Sequence, residues 1–153
     1  MRGSVRSVGS VRTVQVAANW LVIPFTACYP FIMMPYERIK AWEKCHLLAL
    51  AVYRATKRWP KEETYGLISQ ARRAAFGAAA NIVEGAARRG PREFRRFLDI
   101  SISSLNELAY ALRFANDLDL CTRDQYQELE SLREPASKLT WRLYEAIKKK
   151  SLR

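Results

Sequence analysis

Histidine is almost absent from this chain and cysteine is sparse. His46 is the single imidazole in 153 residues, and the three cysteines, Cys28, Cys45 and Cys121, are far apart, odd in number and without a Cys-x-x-Cys pair. Such spacing indicates neither a disulfide framework nor a zinc site. A Ser/His or Cys/His catalytic arrangement would depend on His46 alone. Cys45 and His46 are neighbours on a helical pattern and so point about 100° apart, which reads as packing or boundary residues, with the thiols reduced in a cytoplasmic setting. A glycine-rich phosphate loop, a repeat of fixed period and strand-like alternation are all missing. Nucleotide hydrolysis therefore has no support, no cofactor or metal is expected, and the chain does not read as an enzyme.

A clean apolar run is missing as well. The nearest approach, VAANWLVIPFTACYPFIMM, is interrupted by Asn19, Pro24 and Pro30 and makes a poor membrane span. The opening MRGSVRSVGSVRTVQ has the composition of a transit peptide, the cleavage signature of a secretory signal is weak, and Phe25 to Cys28 is only faintly like a lipoprotein box. The preferred reading takes residues 1–35 as an N-terminal extension, disordered or produced by an upstream start, with Met33 or Met34 as the natural beginning. Residues 36–153 then form the folded domain, and no membrane partner is expected.

Acidic residues are the scarcer charge: 26 lysines and arginines face 15 acids, a formal charge of +11. Arg2, Arg6 and Arg12 carry three of those positive charges ahead of the first acid, Glu37, so the part from Glu37 onward keeps 23 basic and 15 acidic side chains, a net +8. An excess of this size favours acidic partners, nucleic acid first and anionic membrane second. Solubility alone is the plainer account.

What is abundant is helical periodicity. One amphipathic segment runs from about Glu37 to Arg58, with Ile39, Trp42, His46, Ala49, Tyr53 and Thr56 on one stripe and Cys45, Val52 and Trp59 broadening it. Pro60 at a first helical position, with Glu62 and Glu63 in the first turn, opens a second helix reaching about Arg89. Gly90-Pro91 starts a third, whose buried side is Phe94, Phe97, Leu98, Ser101, Leu105, Leu108 and Leu112 and which fades near Asp117. Thr122 and Gln125 form a capping box for a fourth, with a stripe of Tyr126, Leu129, Leu132, Ala136, Leu139, Leu143 and Ile147 and a bend expected at Pro135. Four such helices on short connections make an all-α, antiparallel up-down-up-down four-helix bundle.

The second helix has two faces. Ile68, Ala71, Ala75, Ala78, Ile82 and Gly85 form the core seam, and Gln70, Arg73, Gly77, Asn81 and Glu84 form a polar stripe roughly opposite. The alanines around Gly77 are either simply good helix formers or the sign of a thin cylinder contacted on a second side. At the corner into the third helix stand Arg88, Arg89, Arg92, Arg95 and Arg96, the candidate phosphate-binding cluster. Phe94 and Phe97 between them read as core rather than base-stacking platforms, and Asp99 is placed to neutralise part of the charge.

Three stretches, AWEKCHLLALAVYRATKRWP, ETYGLISQARRAA leading into NIVEG, and FRRFLDISISSLNELAYAL, resemble the small four-helix-bundle proteins encoded by intervening sequences within bacterial 23S ribosomal RNA genes. The resemblance covers about Glu37 to Leu143 and departs at Ser103, where the family pattern has a glycine, leaving a very close helix approach there in question. It implies a bundle that assembles as a ring-shaped homopentamer. A related protein, the accessory variability determinant of diversity-generating retroelements, implies RNA or DNA and a reverse transcriptase as partners. Carried onto this chain, the family signature falls on Gln70, Arg73, Asn81, Glu84, Gly85, Ser104 and Glu107. A polar network that sets helix register or subunit contacts explains such residues better than a catalytic site, because two glutamates without a cleft and separated pKa values do not make a hydrolase. The expected function is a basic, oligomeric, non-enzymatic scaffold for nucleic acid; the alternative is a structural or protein-binding oligomer.

Overall fold

The computed structural model describes residues 34–152; the expectation of an N-terminal extension falls on residues outside that range. Four α-helices follow one another and no strand occurs among the described residues: α1 Lys40–Ala55, α2 Leu67–Ala87, α3 Pro91–Asp117 and α4 Arg123–Ser151. None of them is long and apolar enough to cross a membrane. α2 lies against α1 and α3, and α4 lies against α3 and α1, so the four close into a bundle.

The ends of the helices follow local chemistry. α1 is shorter than its periodicity suggests, because 3₁₀ turns at Pro35–Arg38 and Thr56–Arg58 flank it. α2 does not start at Pro60. Residues Lys61–Glu63 form a separate 3₁₀ turn, a further turn ends at Gly66, and the Glu63 carboxylate accepts the Leu67 N–H at 3.1 Å, capping the helix from outside instead of lying in its first turn. Gly90 has φ +88° in the tight turn before Pro91, a left-handed position that a residue without a Cβ occupies at no steric cost, and proline suits the first helical position that follows. α3 ends in a Schellman arrangement: Leu120 N–H reaches the Ala115 carbonyl, Asp119 N–H reaches Asn116, and Asp119 takes φ 56°. Thr122 and Gln125 make the expected reciprocal cap of α4, which continues through Pro135 as one element.

The core is narrow because α2 is thin. Ile68, Ala71, Ala75, Ala78, Ile82 and Gly85 are all buried as the seam expects, and α3 meets them with Leu98, Ser101, Leu105 and Leu108. Buried Ser101 donates to the Ala78 carbonyl at 2.7 Å, which satisfies a hydroxyl in a place where an unpaired one would cost about 1–3 kcal/mol. The buried face of α1 keeps Cys45, Ala49 and Val52 from the expected stripe, gains Leu48 and loses two members. Cys45, Leu48, Val52 and Thr56 occupy the core, whereas His46 and Tyr53 are exposed. Each of these two found an aromatic or cationic neighbour outside the core: His46 stacks on Trp42 at 5.3 Å, and Arg72 lies 5.1 Å above the Tyr53 ring. α4 is the least buried helix. Only Leu129, Ala136 and Thr140 are buried on it, and Leu132, Leu139, Leu143 and Ile147 are half-buried against the core.

Candidate nucleic-acid interface

The turn between α2 and α3 gathers the arginines through one ring. Phe97 is buried, as expected of a core residue, yet its ring carries two guanidiniums, Arg96 at 4.7 Å and Arg88 at 5.2 Å from its centroid. Cation–π attraction of this kind holds both heads at the corner. Arg96 pairs with Glu93 at 3.3 Å and Arg88 pairs with Glu84. Asp99, the expected neutralising partner, makes neither pair, because the carboxylates at the preceding turn and on α2 are nearer to those heads. Both pairs are about half-exposed, so each is worth about 1 kcal/mol or less and opens readily for a phosphate. Arg89 and Arg92 are exposed and form no ion pair among the described residues.

Arg95 extends the patch to a second element. Its Nη1 donates to Ser151 Oγ at 3.3 Å, and that hydroxyl in turn donates to the Lys148 carbonyl. The contact sets the end of α4, with Lys148, Lys149 and Lys150, beside the arginine corner. Lys148 pairs with Glu145 at 3.7 Å, while Lys149 and Lys150 are exposed and unpaired among the described residues. This lysine run is not among the residues that the sequence pattern singles out. A run of three cations in the last turn of a helix was the available signal, but it reads first as complementing the helix dipole, and only the meeting of α3 with α4 turns it into part of a patch. Across α4, Arg38 and Lys40 line a shallow depression with Arg142.

The family-signature residues form a strip along α2 and α3 rather than a closed network. Gly85 is buried, and a Cβ built on it would lie 2.7 Å from Phe94 Cδ2 and 2.8 Å from Phe97 Cβ. Gly77 faces Ser104, whose Oγ would be 3.3 Å from an added Cβ. Gln70 and Glu107 line one shallow depression with Leu67, Tyr110 and Phe114. The polar members bond within their own helices: Asn81 Nδ2 donates to the Gly77 carbonyl at 2.7 Å, and Ser104 Oγ donates to the Ile100 carbonyl at 3.0 Å. Register-setting bonds across the helices, expected from the sequence, are therefore not made by these groups among the described residues. Gln70, Arg73, Glu84 and Glu107 remain exposed. Ser103 also lies on the exposed side and donates to the Asp99 carbonyl, so the helices do not approach through it.

Cys45 and His46 do not meet. The Cys45 thiol is buried 3.6 Å from Thr140 Oγ1, and because the Thr140 proton goes to the Ala136 carbonyl, the thiol is the donor. Burial pushes the Cys45 thiol up to about 11, so it is a packed, protonated group. Cys121 is raised from its ordinary value by the same cause. No three His, Cys, Asp or Glu side chains cluster as metal ligands among the described residues.

Residues 37–142 match the family model described as 23S rRNA-intervening sequence protein. No curated protein matches the chain. Among solved structures, the crystal structure of a protein of unknown function from the S23 ribosomal protein family of Bacteroides thetaiotaomicron is similar, with a TM-score of 0.64 and 22% identity, covering 69% of this chain and 95% of that one. At that identity the likeness bears on the helical fold alone.

Proposed function

The chain belongs to the 23S rRNA-intervening sequence protein family, and from that premise we propose that it is a non-enzymatic, homo-oligomeric scaffold that binds the phosphate backbone of RNA or DNA through the cationic corner of its bundle. The observation that carries this reading is the Arg95–Ser151 contact, which adds the lysine run of α4 to Arg88, Arg89, Arg92 and Arg96. Flexible, exposed cations suit backbone contact with slight sequence preference. The reading includes an antiparallel up-down-up-down order. Supporting it, Gly85 neighbours Phe94 while Gly77 neighbours Ser104, and Cys45 neighbours Thr140 while Arg54 and Ala55 share a depression with Gln125 and Leu129.

Fluorescence anisotropy with labelled RNA and DNA tests the proposal. Four or five phosphate contacts by the arginines contribute a log–log salt slope of roughly −3 to −5. Replacing Arg92, Arg95 and Arg96 together with glutamine is expected to lower the slope and weaken binding to many sequences alike, with helical content unchanged. Absence of binding by the parent at about 100 mM salt and micromolar concentration would favour the second reading, a structural or protein-binding oligomer. Phe76 supports that alternative: it is 62% exposed on α2, at a depression shared with Trp42, His46 and Val83 of the α1–α2 face. A pentameric ring belongs to either version and rests on the family resemblance; light scattering that gives a monomer of 17.6 kDa would remove it.

A further inference from the structure

We infer that the groove between α3 and α4 holds an unpaired nucleobase on Trp141, which makes the partner a single strand or a looped-out base rather than a regular duplex. This inference rests on the nucleic-acid reading above and narrows it to one class of ligand.

Trp141 is 53% exposed although it lies beside the half-buried stripe of α4, and its indole stacks on Tyr144 with centroids 5.5 Å apart and planes 27° apart. Lys148 Nζ lies 6.0 Å from the Tyr144 ring centroid. The two rings and the ammonium follow one another along one face of α4, at spacings of three and four residues. Beside the indole, Ile102 and Leu105 of α3 form an apolar wall, and Asn106 and Ser137 supply polar groups at the rim. The Asn106 amide makes no hydrogen bond among the described residues, so its donors and acceptor are free for the edge of a base.

Charge selects the occupant. Toward the end of α4 the seam between α3 and α4 leads to Lys148 and to the Arg95–Ser151 contact. Ten residues separate Trp141 from Ser151, about 15 Å of helix, a distance a strand of a few nucleotides covers. A strand whose phosphates follow the cationic corner would thus bring a base over the indole. Stacking on an aromatic ring is open to every base, which agrees with the slight sequence preference of backbone contacts. A protein partner would have to bring acids to match Arg95 and the lysines, whereas a nucleic-acid strand brings its phosphates with it.

The full chain is titrated against a labelled single-stranded oligoadenylate and a duplex of equal length. Trp141→Ala is expected to weaken single-strand binding about 5- to 150-fold, the range that stacking of one base supports, while duplex binding and the salt slope stay at parental values. Trp141→Phe should retain most of the affinity. Should Trp141→Ala lose helical content, Trp141→Gln is judged by the same criteria. Equal single-strand affinity of the parent and the alanine variant overturns the platform, even where the arginine variant shows that phosphate binding persists. A changed oligomer mass in the alanine variant also overturns it, by assigning the groove to a second copy of the chain. A parent that binds neither ligand removes both this inference and the reading beneath it.

Discussion

Gly77 and Gly85 stand eight residues apart on α2 in opposite situations. A Cβ at Gly85 would press into Phe94 and Phe97 at under 3 Å, whereas one at Gly77 meets only Ser104 Oγ at 3.3 Å. Overpacking costs typically about 1–3 kcal/mol, and alanine gains about 1 kcal/mol over glycine in a helix. Gly85→Ala is therefore expected to lower the urea midpoint, and Gly77→Ala to raise it or leave it unchanged; the reverse order would refute this packing of α2 against α3. That Gly85 lies on the core seam and Gly77 on the polar stripe was readable from sequence, but the contacts that separate them were not, because they depend on which α3 residue each one faces. Cys45 supplies a second residue-scale test. Its thiol titrates near 11 when folded against an ordinary 9.0, so between about pH 9 and 11 the unfolded chain binds fewer protons at this site than the folded one. Stability then falls as pH rises through that window, by an amount of order 2–3 kcal/mol. Urea unfolding at pH 8 and pH 10.5 should show a larger alkaline loss in the parent than in Cys45→Ala; equal losses would show that the thiol is not the group responsible.

At the scale of elements, the capping box at Thr122 and the Gly90-Pro91 junction were legible because caps and turns are written in contiguous residues. The face of α1 was not. His46 and Tyr53 share its periodicity with Ala49 and Thr56, and only the neighbours supplied by α2 and α4 decide that Leu48 turns inward in their place. Nor was the start of α2, since Pro60, Glu62 and Glu63 look like a first turn until the Glu63 side chain is seen to cap Leu67 from outside the helix. α4 contains the clearest internal conflict, Pro135 inside a helix of 29 residues. A proline there removes an N–H donor and crowds the carbonyl four residues earlier, at a cost of about 3 kcal/mol in a helix interior. Pro135→Ala should consequently stabilise the protein by up to that amount, read as a higher melting temperature with unchanged helical content. A drop in melting temperature would mean that the half-buried ring contributes more to packing than the helix loses by it.

For the whole molecule, what matters is where the surplus of positive charge collects. The arginine corner was visible as a dense run in sequence, whereas Lys148, Lys149 and Lys150 lie more than fifty residues further on and join it only because Arg95 reaches Ser151. Two separate charge clusters would act on a phosphate chain independently; adjacent ones act as a single surface, with all seven or eight cations counting toward one binding event. The parent slope should then be roughly −5 to −7 rather than the −3 to −5 of the arginines alone, at about 0.7 to 0.9 per phosphate. Replacing Lys148, Lys149 and Lys150 with glutamine should reduce its magnitude by roughly 2 to 3. The same three-charge change at Arg54, Lys57 and Arg58, at the opposite end of α1, serves as the control for net charge. If both triple variants lower the slope equally, attraction is spread over the whole basic surface and the corner has no privileged role; if only the lysine variant does so, the α3–α4 contact is what makes the surface.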